Sequence, residues 1–203
     1  MAIDKDFFRQ VMGHFATGVT VVTTSNQEMP GGLTVNAFCS VSLNPPLVLV
    51  CVDLTSNTLP LIRESGCFAV NMLTNQQEQL SRCFATPSQE RYERFCHADY
   101  HTAVTGAPVL DDVLAFVDAR VVAEYPGGDH VIFLGQVEAL GTSSETAFVQ
   151  EADRENSTII AQDGTGEERL PLGYYRGQYR HFSQTYMKPS LASATPHYEE
   201  VSE

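Results

Sequence analysis

Hydroxyl, amide and thiol groups crowd into Thr34-Val35-Asn36-Ala37-Phe38-Cys39-Ser40-Val41-Ser42 and again into Cys51-Val52-Asp53-Leu54-Thr55-Ser56-Asn57-Thr58. Between them lie Asn44-Pro45-Pro46 and the apolar run Leu47 to Val52. Tandem prolines cannot donate ladder hydrogen bonds, so they belong to a connection. The run of Leu and β-branched Val is too short for an ordinary helix and predicts a buried strand. A hairpin turning at the prolines brings Asn36 to Ser40 beside Cys51 to Thr58. Two polar loops flanking an apolar floor suit a flat ring ligand with a polar, even phosphorylated, tail. Ser, Thr and Asn are also what turns are made of, so a plain hairpin with polar ends accounts for the same residues.

Other constellations are weaker. His130 follows Gly127-Gly128-Asp129, either as a ligand-facing ring or as a solvent-facing histidine at a strand start. Cys96-His97 with His101 has helical spacing but too few neighbouring donors for a structural zinc, so no metal is expected. No Gly-x-Gly-x-x-Gly fingerprint and no phosphate-binding P-loop is present; Gly164-Thr165-Gly166 lacks the third glycine. No catalytic nucleophile stands out.

A net charge of −13 and a pI near 4.7 argue against nucleic acid and anionic membrane surfaces as partners. A phosphorylated ligand then needs local positive charge or amide donors. No apolar run approaches the ~18–20 residues of a membrane span, and the acidic start Met1 to Asp6 lacks a signal core. Cysteines at 39, 51, 67, 83 and 96 are odd in number and form no Cys-x-x-Cys pair. Neither a disulfide framework nor a zinc knuckle is expected, and a reducing cytoplasm is the simplest setting.

These residues need elements to hold them. With 203 residues and 43% hydrophobic content, one domain with a sizeable core is expected. Phe7, Phe8, Val11, Met12 and Phe15 recur at helical spacing after Asp4, with Gly18 ending the helix. Val19 to Ser25 and Cys67 to Leu73 read as strands. Leu59 to Glu64 reads as a short helix with Pro60 in its first turn, ended by Gly66. Asn75 caps a further helix bearing Leu80, Cys83 and Phe84 inward. Residues 85–107 read as irregular, anchored by Tyr92, Phe95 and Tyr100. Val113 to Tyr125 and His130 to Leu140 form a hairpin on the four-residue turn Pro126 to Asp129. Several strands with few helices imply a mainly β (α+β) antiparallel barrel with flanking helices.

The chain resembles the flavin reductase family. The resemblance is carried by Phe8-Arg9, Phe15-Ala-Thr-Gly-Val-Thr-Val-Val-Thr-Thr24, the Thr34 to Asp53 stretch, Gly127-Gly-Asp-His-Val-Ile-Phe-Leu-Gly135 and Tyr174-Tyr-Arg-Gly-Gln-Tyr179, in that order. It implies an FMN-binding split barrel with Greek-key topology, spanning residues 1–182, and a homodimer. It implies an NAD(P)H-dependent reductase of FMN or FAD, with NADH or NADPH as hydride donor, serving a separate flavin-dependent monooxygenase. The alternatives are a flavin-binding carrier or sensor, or an oxygenase using its own flavin. On this resemblance Thr34, Val35, Asn36, Ala37, Ser40 and Val41 wrap the flavin ring. Cys51, Val52, Asp53, Ser56, Asn57 and Thr58 support its chain and phosphate, with Arg82 and Phe84 closing the phosphate side. His130, Tyr174, Tyr175 and Arg176 receive the nicotinamide. A polar stretch at 142–169, expected to be partly helical near Ala147 to Asp153, departs from the family pattern. Residues 183–203 are expected to be a tail or arm.

Overall fold

The structure, a computed structural model, describes residues 3–26, 29–142, 145–149, 157–161 and 169–182. Helix α1 (Lys5–Met12) opens at Asp4, whose carboxylate accepts from the Phe7 N–H at 2.8 Å. It ends at Gly13, before the expected Gly18, because β1 (Thr17–Gly18) is already paired there. Strands β2 (Thr20–Ser25) and β3 (Pro30–Val35) form a hairpin. Next come β4 (Phe38–Leu43) and β5 (Pro46–Asp53), the hairpin that turns at the prolines. Pro46 takes the first place of β5, where a missing donor is tolerated.

Helix α2 (Thr58–Ser65) stops at Gly66, which adopts φ +66, a conformation glycine enters without a Cβ penalty. Strand β6 (Cys67–Met72) follows. A capping box on Thr74, one residue before the expected Asn75, opens a short turn that leads into α3 (Glu78–Ala85).

The segment expected to be irregular contains α4 (Gln89–Arg94), a 3-10 turn (Phe95–His97) and β7 (Tyr100–Thr102), which pairs with β8 (Pro108–Leu110). A six-residue helix is too short to display a period, which is why the sequence hid it. Phe95 is buried as expected, whereas Tyr100 is 44% exposed and meets Phe95 edge-on.

Strands β9 (Ala115–Gly127) and β10 (His130–Thr142) form the long hairpin. Gly127 pairs with His130, so its turn has two residues between partners and not four, with Gly128 at φ +77. Within the polar stretch, β11 (Glu145–Val149) and β12 (Ser157–Ala161) replace the expected helix over 147–149 and lengthen the sheet; residues 150–153 lie outside the described residues, as does the expected tail. Strands β13 (Leu172–Tyr175) and β14 (Gln178–His181) close the described chain as a hairpin whose first strand, β13, pairs with β1.

The main sheet runs β12-β11-β10-β9-β6-β2-β3, and β5 joins it by pairing with β10 while holding β4 on its other edge. Strand β3 touches β5 without a ladder between them. The barrel therefore closes by packing at that seam. Val22, Val50, Val52, Phe68, Val70 and Phe133 fill its interior, while Val21, Ala69, Phe84, Phe95 and Phe116 lie in a second core outside the wall. Strands β2 and β6 thus bury both faces, and the polar residues they carry inward, Thr20, Thr23, Thr24 and Asn71, are buried with them. The Asn71 amide is satisfied in that wall: it donates to Val21 O at 3.0 Å and Thr23 Oγ1 at 2.9 Å, and accepts from Leu110 N at 2.8 Å.

Contrary to the expectation from cysteine spacing, Cys83 and Cys96 are joined by a disulfide. Folding sets α3 beside the 3-10 turn that follows α4, a proximity the sequence separation of 13 does not reveal. Cys39, Cys51 and Cys67 are free.

Gly135 tests the wall. A Cβ there would stand 2.6 Å from Phe68 Cζ, and that ring is fully buried. Gly135→Ala should lower stability by about 1–3 kcal/mol through overpacking, read by chemical denaturation. Gly18→Ala, with nothing within 4 Å, should unfold close to the wild type.

Candidate functional site

The register of β5 against β10 places His130 directly across from Asp53. His130 Nδ1 lies 2.8 Å from Asp129 Oδ1, and the Leu54 N–H donates to Asp129 O at 3.0 Å. Asp53 Oδ1 accepts from the Thr55 N–H at 2.7 Å and the Thr55 hydroxyl at 2.6 Å. These bonds, with His130 nearby, hold the Asp53 carboxyl below its ordinary range. The hydrogen bond from His130, then its charge, does the same for Asp129. This end of the barrel is a polar rim with a half-exposed imidazole.

The neighbouring loop crosses close by. Ala37 O accepts from the Cys51 N–H at 3.0 Å, which ties the loop Asn36 to Ala37 to β5. Asn36, Ala37, Ser40 and Val41 are exposed, and a bulge between Ser40 and Ser42 turns this edge outward. Burial pushes the Cys51 thiol up, so it is no activated thiolate. The Thr34 hydroxyl donates to Ser81 O at 2.6 Å and fixes β3 to α3.

The last turn before α2 has its own caps. Ser56 Oγ accepts from the Thr58 N–H at 3.3 Å, and Asn57 sits at the N-cap without a side-chain bond.

Several expected contacts are not offered by side chains. Val52 and Phe84 are fully buried, Val35 nearly so, and each packs in the core. The Phe84 ring lies beneath Gly32, where a Cβ would stand 2.8 Å from it. Thr58 is 2% exposed, and its hydroxyl donates to Gly32 O at 3.2 Å, away from the surface. Arg82 pairs with Glu78 at 2.6 Å and lies over the Tyr179 ring at 4.7 Å. Glu78 also meets His181 at 2.7 Å, and that bond, with Arg82, lowers its pKa.

Two adjoining clefts share Ala85, Tyr174 and Tyr179. One is lined also by Val19, Thr34 and Asn36, the other by Arg82, Gln178 and Arg180. The Tyr179 hydroxyl bonds Ser81 Oγ at 2.8 Å. Tyr175, one residue on, is edge-on to His14, and Arg176, at φ 52, donates its N–H to Gly13 O. So of the three residues expected at the nicotinamide opening, only Tyr174 faces these clefts, and His130 lines neither.

Sequence reasoning missed Tyr179. Tyr179 stood at the end of a quoted motif. The three residues weighed as a metal cluster are engaged separately: Cys96 in the disulfide, His97 with Glu90 and His101 with Asp111. Among the described residues no group of His, Cys, Asp and Glu could hold a metal, and no helix is long and apolar enough to cross a membrane.

A barrel split at one seam and rimmed by exposed amides and hydroxyls defines a split-barrel protein. Residues 12–183 match the family described as Flavin reductase like domain. The chain belongs to that family. It is 37% identical over 180 residues to the reductase component of 4-nitrophenol 4-monooxygenase/4-nitrocatechol 2-monooxygenase from Rhodococcus opacus, covering 89% of this chain and 82% of the relative. Nitrilotriacetate monooxygenase component B from Mycobacterium thermoresistibile superposes with a TM-score of 0.74 at 32% identity, over 92% and 91% of the two chains. The NADH:FAD oxidoreductase SgcE6 of Streptomyces globisporus, solved with NAD and FAD fragments, gives 0.71 at 32% identity, over 91% and 96%.

Thr55→Ala should raise the Asp53 carboxyl toward its ordinary range, read by NMR titration. Because the folded value is depressed, the stabilisation is present above the unfolded value and is lost as pH falls through the folded one. An unmoved Asp53 would mean that the Thr55 bonds do not set its charge.

Proposed function

We propose that this protein is an NAD(P)H-dependent flavin reductase that hands reduced FMN or FAD to a separate flavin-dependent monooxygenase. The observation that carries this reading is the exposed polar edge Asn36 to Val41 tied to β5 by the Ala37–Cys51 bond, beside a rim that carries His130. It is supported by family membership, and relatives named as reductase components of monooxygenases favour release of reduced flavin over retention. The relative solved with NAD and FAD fragments supports NADH and FAD as the pair.

When both are bound, the nicotinamide supplies a hydride and the flavin accepts it; the reactive atoms are theirs. The chain's work is to align them at ~3–3.5 Å and to limit water. Asn36, Ala37, Ser40 and Val41 offer donors and an edge for the ring, and Cys51 and Asp53 form the floor beyond it. Ser56 and Asn57 offer donors to the tail at the start of α2, where the helix dipole favours an anion. His130 orients the nicotinamide by hydrogen bonding, and Tyr174 offers a face to the rest of that nucleotide. A flavin released each turnover needs an open site, and these residues are exposed or half-buried.

The oligomer is a homodimer. Helix α1 buries none of its residues, although Phe7, Phe8, Val11 and Met12 lie on it and Phe15 just beyond it is 71% exposed. A second copy of the chain covers this stripe. Light scattering on the purified protein should give a dimer mass, and Phe8→Glu with Val11→Glu should lower it; a wild-type monomer would remove the dimer.

Oxidation of NADH and NADPH with added FMN or FAD tests the activity itself. His130→Ala should raise the KM for the nicotinamide nucleotide by about tenfold, the worth of one good hydrogen bond, and should leave flavin affinity within twofold. Collapse of flavin affinity with an unchanged KM would overturn the role given to His130.

A further inference from the structure

The turn that follows α4 puts three consecutive residues in the left-handed region: Phe95 at φ 48, Cys96 at φ 54 and His97 at φ 53. None is glycine, and a residue with a Cβ enters that region at a cost. Three in succession cost about as much as the burial of one phenyl ring returns. Phe95 is the ring this turn buries, edge-on to Phe84 at 5.1 Å. Packing and backbone are therefore close to balance, and the bond from Cys96 to Cys83 holds the turn shut.

That bond joins two elements with holds elsewhere in the molecule. On α3, Ser81 O accepts from the Thr34 hydroxyl at 2.6 Å, Ser81 Oγ bonds the Tyr179 hydroxyl at 2.8 Å, and Arg82 lies over the Tyr179 ring. Thr34, Arg82 and Tyr179 line the adjoining clefts described above. On α4, Arg91 is 7% exposed; its Nε donates to Gly32 O at 2.9 Å and its Nη2 to Thr58 Oγ1 at 3.3 Å. These bonds pin the helix to β3 and to the start of α2. Cys83 and Cys96 are half-buried, whereas the free Cys67 is sealed in the core. A reachable bond that closes a strained turn belongs with the labile disulfides, not the inert ones.

We infer that Cys83 and Cys96 are a redox-sensitive clasp, opened by a dithiol and closed by a small disulfide, that decides how firmly α4 and the cleft side of α3 are held. In opening, a thiolate of the dithiol attacks one sulfur and the Cys83–Cys96 bond breaks. The second sulfur of the dithiol then displaces the mixed disulfide. The reductant leaves as a disulfide, and its two electrons and two protons end on the cysteines as two thiols. Closing is the same exchange in reverse, with the small disulfide taking up the electrons and protons. Once open, the turn relaxes out of the left-handed region, α4 loosens, and α3 loses its brace behind the Tyr179 cleft. The clasp stands apart from the flavin-reductase reading; only one of its readouts rests on that reading.

The test uses the full chain equilibrated with oxidised glutathione or with dithiothreitol. Thiols counted after unfolding should number three in the first case, the free Cys39, Cys51 and Cys67, and all five in the second. In the folded protein, dithiothreitol should speed hydrogen exchange of the amides of Gln89 to His97 by about tenfold or more. It should also raise the KM for flavin by about three- to tenfold, the worth of one hydrogen bond such as that between Ser81 and Tyr179. Oxidised glutathione should reverse both. Cys83→Ser with Cys96→Ser should behave as the reduced wild type and ignore either reagent. Should that variant fail to fold, the reduced and reoxidised wild type decide by themselves. Five thiols after oxidation, or a bond that excess dithiothreitol leaves closed in the folded protein, would overturn the proposal. Unchanged exchange, or faster exchange with an unchanged KM, would show an inert staple and overturn it equally. Redox-dependent exchange in a protein that reduces no flavin in either form would keep the clasp and sink the reductase reading instead.

Discussion

The structure depends on one shared strand. Along β10, the first half bonds β5 on one edge, the second half bonds β11 on that same edge, and β9 runs along the other. Its residues alternate between buried and more exposed positions, with Val131, Phe133 and Val137 in the barrel interior. A slip of one residue would expose Phe133 and drive its neighbours into the core. Burial therefore locks the register, and the register alone puts His130 opposite Asp53. Gly135 is part of the same constraint, since Phe68 occupies the space a side chain would need.

From that frame the site follows with little machinery. The hairpin of β4 and β5 presents backbone groups and hydroxyls at its exposed edge. Such a surface suits chemistry in which two bound cofactors hold the reactive atoms. Charge is handled locally. The overall negative field opposes phosphates, and Arg82 is already paired with Glu78.

Much of this was legible in the sequence where a residue type forces the backbone. Pro45-Pro46 marked the hairpin, Gly66 the end of α2 and Gly127-Gly128 the turn before His130. The apolar runs of β5 and β6 marked strands, because burial on one or both faces leaves a compositional trace. What stayed hidden was local brevity and distant pairing. Six residues of α4 carry no readable period, so Arg91 looked like one charge among several. Thr58 and Phe84 sit in motifs whose spacing fits a ligand, but spacing cannot say which way a side chain turns. Here packing against Gly32 turns both inward. Glu145 to Val149 reads as a polar insertion, and only its pairing with β10 makes it a strand.

The bond between Cys83 and Cys96 encloses the whole of α4 in a covalent ring. Closing a ring of about this size removes roughly 3 kcal/mol of freedom from the unfolded chain. A helix of two turns has little hold of its own, and it carries the most deeply seated positive charge described above. The ring acts as a leash on it: when α4 loosens from the barrel, its guanidinium remains tethered within reach of the place it left.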